Sequence, residues 1–147
     1  MSTSTYLFPD VNVWLALAHQ VHPHHAVART WCEALGAEDI VCFCRFTQLG
    51  LLRLLTNASA MGADVMTQQQ AWDAYDAILA NPSNCQTDEP AGIDSIFRQR
   101  TSSEQAATKQ WADGYLAAFA EASGMRLVTF DHALAAKTPE AVLLASA

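Results

Sequence analysis

Twelve residues near the N-terminus, LFPDVNVWLALA from Leu7 to Ala18, are apolar except for a carboxylate at Asp10 and an amide at Asn12. The two ends of this run suit a buried strand and a buried helix, so the chain must fold with a polar joint inside an apolar segment. A buried carboxylate is costly unless hydrogen bonds or a positive partner compensate it. Any architecture this chain adopts has to bring such a partner to Asp10.

The length, 147 residues, and a hydrophobic fraction of 51% suffice for one compact domain with its own core. The start, MSTST, lacks the charged and apolar layout of a signal peptide, and no apolar run reaches membrane-spanning length. A single domain over residues 1–147 in the cytoplasm, away from membranes, is the expectation. Cys32, Cys42, Cys44 and Cys85 show no C-x-x-C spacing and read as buried small hydrophobes. Eight basic against fifteen acidic residues give a formal charge of −7, which excludes indiscriminate nucleic-acid binding through a basic surface. Any such partner must be met locally, with Arg45, Arg53, Arg98, Arg100 and Lys109 as the available cations.

Periodicity predicts a strand over Tyr6–Phe8, a helix from Asn12 to about His19 and another from about His24 to Leu35. A strand follows over Ile40–Cys44, with Thr47 capping a helix to Leu55. Thr67 and Gln70 form a capping-box pattern for a helix through Leu79. Between Asn84 and Ser103 one short helix is expected around Ile93–Arg100. Thr108–Ser123 reads as a helix closed by Gly124, Met125–Phe130 as a strand, and a short helix follows Asp131. Ala141–Leu144 suits an edge strand. Strands alternating with helices predict a three-layer α/β/α sandwich around a mostly parallel sheet.

In such sheets ligands bind beyond the carboxyl ends of the strands. Asp10 in LFPD and Asp131 in LVTFD each follow a strand and should project from that edge. Asp113 shares a helical face with Leu116, Ala117 and Ala120, which should point toward the sheet. Singly, Asp10 and Asp131 also read as helix N-caps, and Asp113 as an anion in a first helical turn. Together they point to a shared proton or a cation, because two like charges about 4 Å apart repel by roughly 4 kcal/mol at an effective dielectric near 20. All-oxygen donors with room for water suit Mg²⁺ or Mn²⁺, and such an ion activates water toward a phosphodiester.

The order PDVNVWLALA, CRFTQLGLLRLLTN and KQWADGYLAAFAEASGMRLVTFDHAL resembles the PIN-domain ribonucleases, in particular the VapC toxins of bacterial toxin–antitoxin pairs. The resemblance covers essentially the whole chain, with the first and last segments the more specific. It implies a Mg²⁺- or Mn²⁺-dependent endoribonuclease with Asp10 and Asp113 as direct metal ligands and Asp131 as a direct or water-mediated one. Asn12 and Thr129 would line or support the pocket. The resemblance also implies an RNA substrate, a cognate antitoxin partner and a homodimer. One departure stands out: the family's usual glutamate near the start of the third helix is Gln48 here, an acceptor without charge.

Arg45 and Arg53 flank the Gln48 helix as candidate contacts to an RNA backbone. His22, His24 and His25 read as turn and capping residues, and His132 sits beside Asp131 without a spacing that demands a role. Most of Trp14, Trp31, Trp72 and Trp111 are expected in the core, with Trp31 and Trp72 equally suited to a partner surface. Two other readings remain: a catalytically weakened PIN domain that binds RNA or protein, which Gln48 favours, and an aspartate-nucleophile phosphatase. The second wants another Asp two residues after Asp10, where this chain has Asn12.

Overall fold

The computed structural model describes residues 3–145. Five parallel strands form one sheet in the order β3-β2-β1-β4-β5: β1 Thr5–Pro9, β2 Asp39–Phe43, β3 Asn84–Gln86, β4 Arg126–Thr129 and β5 Val142–Leu143. The register pairs Tyr6 with Ile40, Phe8 with Leu127, Cys42 with Cys85 and Val128 with Val142. Helices α1 (Val11–Ala18), α2 (His25–Glu33), α3 (Arg45–Leu55), α4 (Ala58–Met61) and α5 (Gln68–Leu79) precede β3 or flank it in sequence, and α6 (Ile93–Arg100), α7 (Gln110–Ser123) and α8 (His132–Lys137) follow.

Side chains alternate across a strand, so each one feeds two cores. Leu7, Val41, Phe43 and Val128 meet α1, α3 and α5 on one face, where Trp14 stacks on Phe43 with ring centroids 3.8 Å apart. On the other face Phe8 and Leu127 meet Leu116, Phe119 and Ala120 of α7, Ile93 of α6 and Leu134 of α8, with Phe8 stacked on Phe119 at 4.8 Å. The α/β/α sandwich expected from the sequence is the observed architecture, and every strand pairing is parallel.

Several local expectations are corrected. Helix α3 starts at Arg45 rather than after Thr47, because Thr47 caps from inside: its Oγ1 accepts the Cys44 N–H at 2.9 Å, leaving Cys44 as the N-cap. The short strand β3 and helix α4, with a 3-10 turn over Gly62–Asp64, were not legible in the pattern. Trp14 alone among the tryptophans is fully buried, whereas Trp72 and Trp111 are exposed. Cys42 and Cys44 lie on the same face of the sheet as Phe8: Cys42 stands beside Cys85 of β3, with Sγ atoms 3.2 Å apart, and Cys44 joins the core beneath α7. No described helix is long and apolar enough to cross a membrane.

Candidate active site

Strands β1 and β4 are neighbours and end at the same sheet edge, which brings Asp10 and Asp131 side by side. The Asp10 N–H extends the ladder by donating to the Val128 carbonyl at 2.9 Å. This fixes the carboxylate over the end of β4. Asp10 is also the N-cap of α1, its Oδ1 accepting from the Val13 N–H at 3.1 Å, and its Oδ2 accepts from the Thr129 hydroxyl. Thr129, fully buried, accepts the Asp131 N–H on the same oxygen at 3.0 Å. One hydroxyl thus ties the two acids together.

Asp131 caps α8, with Oδ1 accepting from the Ala133 and Leu134 N–H groups at 2.9 and 3.1 Å. Its Oδ2 lies 3.4 Å from the Lys109 Nζ, just before α7. The two carboxylates therefore titrate in opposite directions. Burial pushes Asp10 above the ordinary carboxylate range, against hydrogen bonds from Thr129, Val13 and Asn12, and the charge of Asp131 adds to the rise. The Leu134 amide and the Lys109 ammonium hold Asp131 below it.

Asn12 reaches this site through its backbone N–H, which faces the Asp10 carboxylate, while its side chain is exposed. Asp113 stands in the first turn of α7, half-buried, and lines a cavity of about 360 Å³ with Arg100, Gln110 and Lys137. Among the described residues no three His, Cys, Asp or Glu side chains gather closely enough to hold a metal ion. The structure thus joins Asp10, Thr129 and Asp131 and leaves Asp113 on the neighbouring face of α7.

Gln48 is buried, accepts from the Arg45 guanidinium and lies against the Tyr75 hydroxyl, which in turn donates to Gln86 of β3. Arg45 is exposed at the first turn of α3, at the sheet edge; Arg53 is exposed in the last turn, roughly 12 Å along the helix from it. Two other cations are engaged elsewhere, Arg98 with Asp94 at 2.7 Å and Arg100 with Glu121 at 3.1 Å. His24 stacks on Phe130 at 4.6 Å, next to Asp131, and His132 is exposed in the first turn of α8. The contact of Lys109 with Asp131 was missed as a site feature, since the two are 22 residues apart and no local pattern links them.

The donor set of the pair is oxygen only, and among the described residues no basic side chain ion-pairs with Asp10. One or two carboxylates at an open strand edge, completed by water and substrate oxygens, are what a small hard divalent cation takes. The residues present fit Mg²⁺ or Mn²⁺.

A parallel α/β/α sandwich with acids at the carboxyl ends of its central strands defines the class. Residues 7–138 match the family model of the PIN domain, and the chain belongs to that family. It is 42% identical over 131 residues to Ribonuclease VapC41 of Mycobacterium tuberculosis, covering 86% of this chain and 90% of the relative. Two solved structures share the fold at low identity. One is Mycobacterium tuberculosis VapC20, a sarcin–ricin loop cleaving toxin, with a TM-score of 0.62 at 15% identity, over 92% of this chain and 98% of that one. The other is VapBC2 of Rickettsia felis bound to a DNA fragment from its promoter, at 0.66 and 14%, over 95% and 97%.

Proposed function

We propose that this PIN-domain protein is a divalent-metal-dependent endoribonuclease, the toxin of a toxin–antitoxin pair. The observation that carries the metal part is a buried carboxylate, Asp10, bridged by Thr129 to a second acid at the ligand-binding edge of a parallel sheet, with no cation of its own among the described residues. The identity to a VapC ribonuclease supports RNA as the substrate. The VapC and VapBC likenesses support an antitoxin partner; a homodimer in the cytoplasm belongs to the same proposal.

In this reading Asp10 and Asp131 would hold Mg²⁺ or Mn²⁺, while Asp113, the other direct ligand the resemblance implies, stands apart from the pair on α7. A bound ion supplies Lewis acidity toward the phosphodiester and acidifies water. The protein's own groups do the rest. Thr129 fixes the rotamer of Asp10 by donating to it, and the Val13 and Asn12 amides keep its charge in place. Lys109 holds Asp131 ionised and brings a positive charge to the site for an approaching phosphate. Arg45 and Arg53 line a path for the RNA backbone along α3.

The experiment is RNA cleavage by partner-free protein with Mn²⁺ or Mg²⁺, beside a calorimetric Mn²⁺ titration. Saturable binding and cleavage that Asp10→Asn abolishes are expected; cleavage undiminished in that variant and in excess chelator overturns the metal-dependent reading. Gln48 favours a second reading, a weakened domain that binds RNA or protein without efficient cleavage, because an uncharged amide stands where the family usually has an acid. A sharp rise in cleavage with Gln48→Glu supports that reading, and an unchanged robust nuclease ends it.

A further inference from the structure

Two thiols outside the acid site meet across the sheet. Cys42 of β2 and Cys85 of β3 are register partners in parallel strands, so their side chains leave the sheet on the same face, and the Cys85 thiol lies 3.2 Å from the Cys42 sulfur. Both are free, as are Cys32 and Cys44. No C-x-x-C spacing announces the pair, because register alone joins two positions 43 residues apart. Paired strands hold their backbones about 4.8 Å apart, within the roughly 4.4–6.8 Å of Cα separation that a disulfide spans. A bond of about 2.05 Å then needs only a small further approach of the sulfurs, within reach of side-chain rotation.

The two sulfurs differ in access. Cys42 is fully buried, whereas Cys85 is half-buried on the edge strand of the sheet. Burial pushes the Cys42 thiol up, and the neighbouring Cys85 adds to the rise, so Cys42 keeps its proton and does not meet solutes directly. A thiol within reach of solvent, backed by a buried thiol in contact, is the arrangement in which the first is oxidised from solution and the second resolves it.

The bond would join elements that little else holds. Strand β3 has three residues and lies at the sheet edge beside β2. The Val41 N–H donates to Ser83, and the Thr87 N–H and hydroxyl donate to Phe43, each at 2.8 Å. Between Cys42 and Cys85 the chain builds α3, α4 and α5. A covalent link here ties a short edge strand to the sheet and closes a loop around three helices, which restricts the unfolded chain.

We infer that Cys42 and Cys85 form a reversible dithiol–disulfide site, which hydrogen peroxide closes into a bond stapling β3 to β2. The Cys85 sulfur, as thiolate, attacks one peroxide oxygen: the S–O bond forms, the O–O bond breaks, and the departing hydroxide takes up the thiol's proton as water. The Cys42 sulfur then attacks Cys85 Sγ. The S–S bond forms, the S–O bond breaks, and the second oxygen leaves as water with the Cys42 proton. Two thiols thus lose two electrons and two protons while one peroxide is reduced to two waters. A small-molecule thiol reverses the bond by exchange, so in a reducing compartment it is transient and reports oxidant. The site goes beyond the ribonuclease reading and does not rest on it, since neither sulfur belongs to the acid pair.

The test uses the full chain, reduced and then treated with equimolar hydrogen peroxide in chelator. Mass-spectrometric peptide mapping without reductant should find the Cys42 and Cys85 peptides joined, lighter than their sum by two hydrogens. Thiol titration in denaturant should show half of the four cysteines lost. The melting temperature of the oxidised chain should rise by roughly 5–15 °C and return with dithiothreitol. Cys85→Ser should lose no thiol under the same treatment and show no rise. Intact thiols in the unaltered chain after peroxide overturn the site, as do a sulfinic acid on Cys85 beside a free Cys42, a bond through Cys32 or Cys44, or a bond between two chains. A Cys42–Cys85 bond that leaves the melting temperature unchanged or lowers it overturns the staple.

Discussion

Burial raises the carboxyl of Asp10 above the value it has in an unfolded chain, so ionising it opposes folding. Its favourable contribution is fully present below the ordinary carboxylate value near 3.8 and is lost as pH rises through the folded value. In chelator, Asp10→Asn should therefore melt above the unaltered protein at neutral pH, and the gap should close toward pH 4 in thermal scans. Thr129 serves two partners with one oxygen. Thr129→Val leaves the Asp131 N–H and an Asp10 lone pair without it, which should cost about 1–3 kcal/mol in denaturant unfolding. The same change should weaken Mn²⁺ binding roughly 10- to 100-fold by calorimetry, as loss of an orienting hydrogen bond does at metal sites. Legibility differed among these residues. Asp10 and Asp131 were readable because an acid directly after an apolar strand is a local pattern, while the direction of the Gln48 side chain depends on Arg45 and Tyr75 around it.

Helix α7 carries Asp113 and starts just after Lys109, the partner of Asp131, so its seating against α6 matters. A Cβ added at Gly114 would lie 2.4 Å from Thr101 Cγ2, a stiff β-branched methyl. Gly114→Ala should destabilise by about 1–3 kcal/mol through overpacking. Combining it with Thr101→Ser removes the clashing methyl and keeps the hydroxyl that donates to the Phe97 carbonyl, so much of the lost melting temperature should return. Long helices with caps, α5 with its Thr67–Gln70 box and α7 with Gly124 in the left-handed region, were predicted nearly to the residue. Strand β3 was not, because three half-buried residues, NCQ, are too few for alternation to show. It exists through β2: the Val41 N–H donates to Ser83 and the Thr87 N–H to Phe43, each at 2.8 Å.

At the scale of the whole molecule, a cation that binds only the folded chain must stabilise it. Mn²⁺ at a hundred times its dissociation constant should add about 2.7 kcal/mol, seen as a melting temperature that rises with metal and falls back with EDTA. Asp10→Asn should show no such rise. The same measurement weighs the site against the sheet, because an ion held by Asp10 and Asp131 would sit where β1 and β4 meet and could bind only after strands more than 110 residues apart in sequence have paired.

The sequence by itself determined the layers, the parallel sheet and the strand ends that carry Asp10 and Asp131, because strand length, helical period and capping are local properties that a chain displays residue by residue. Only the tertiary structure decided that Thr129 joins those two acids, that Lys109 rests on Asp131, that Gln48 turns toward Arg45 and Tyr75, and that Trp111 lines a groove instead of the core. Each of those depends on which helix face meets which neighbour across the sheet. That is settled by the packing of the two cores together and by no short stretch of the chain.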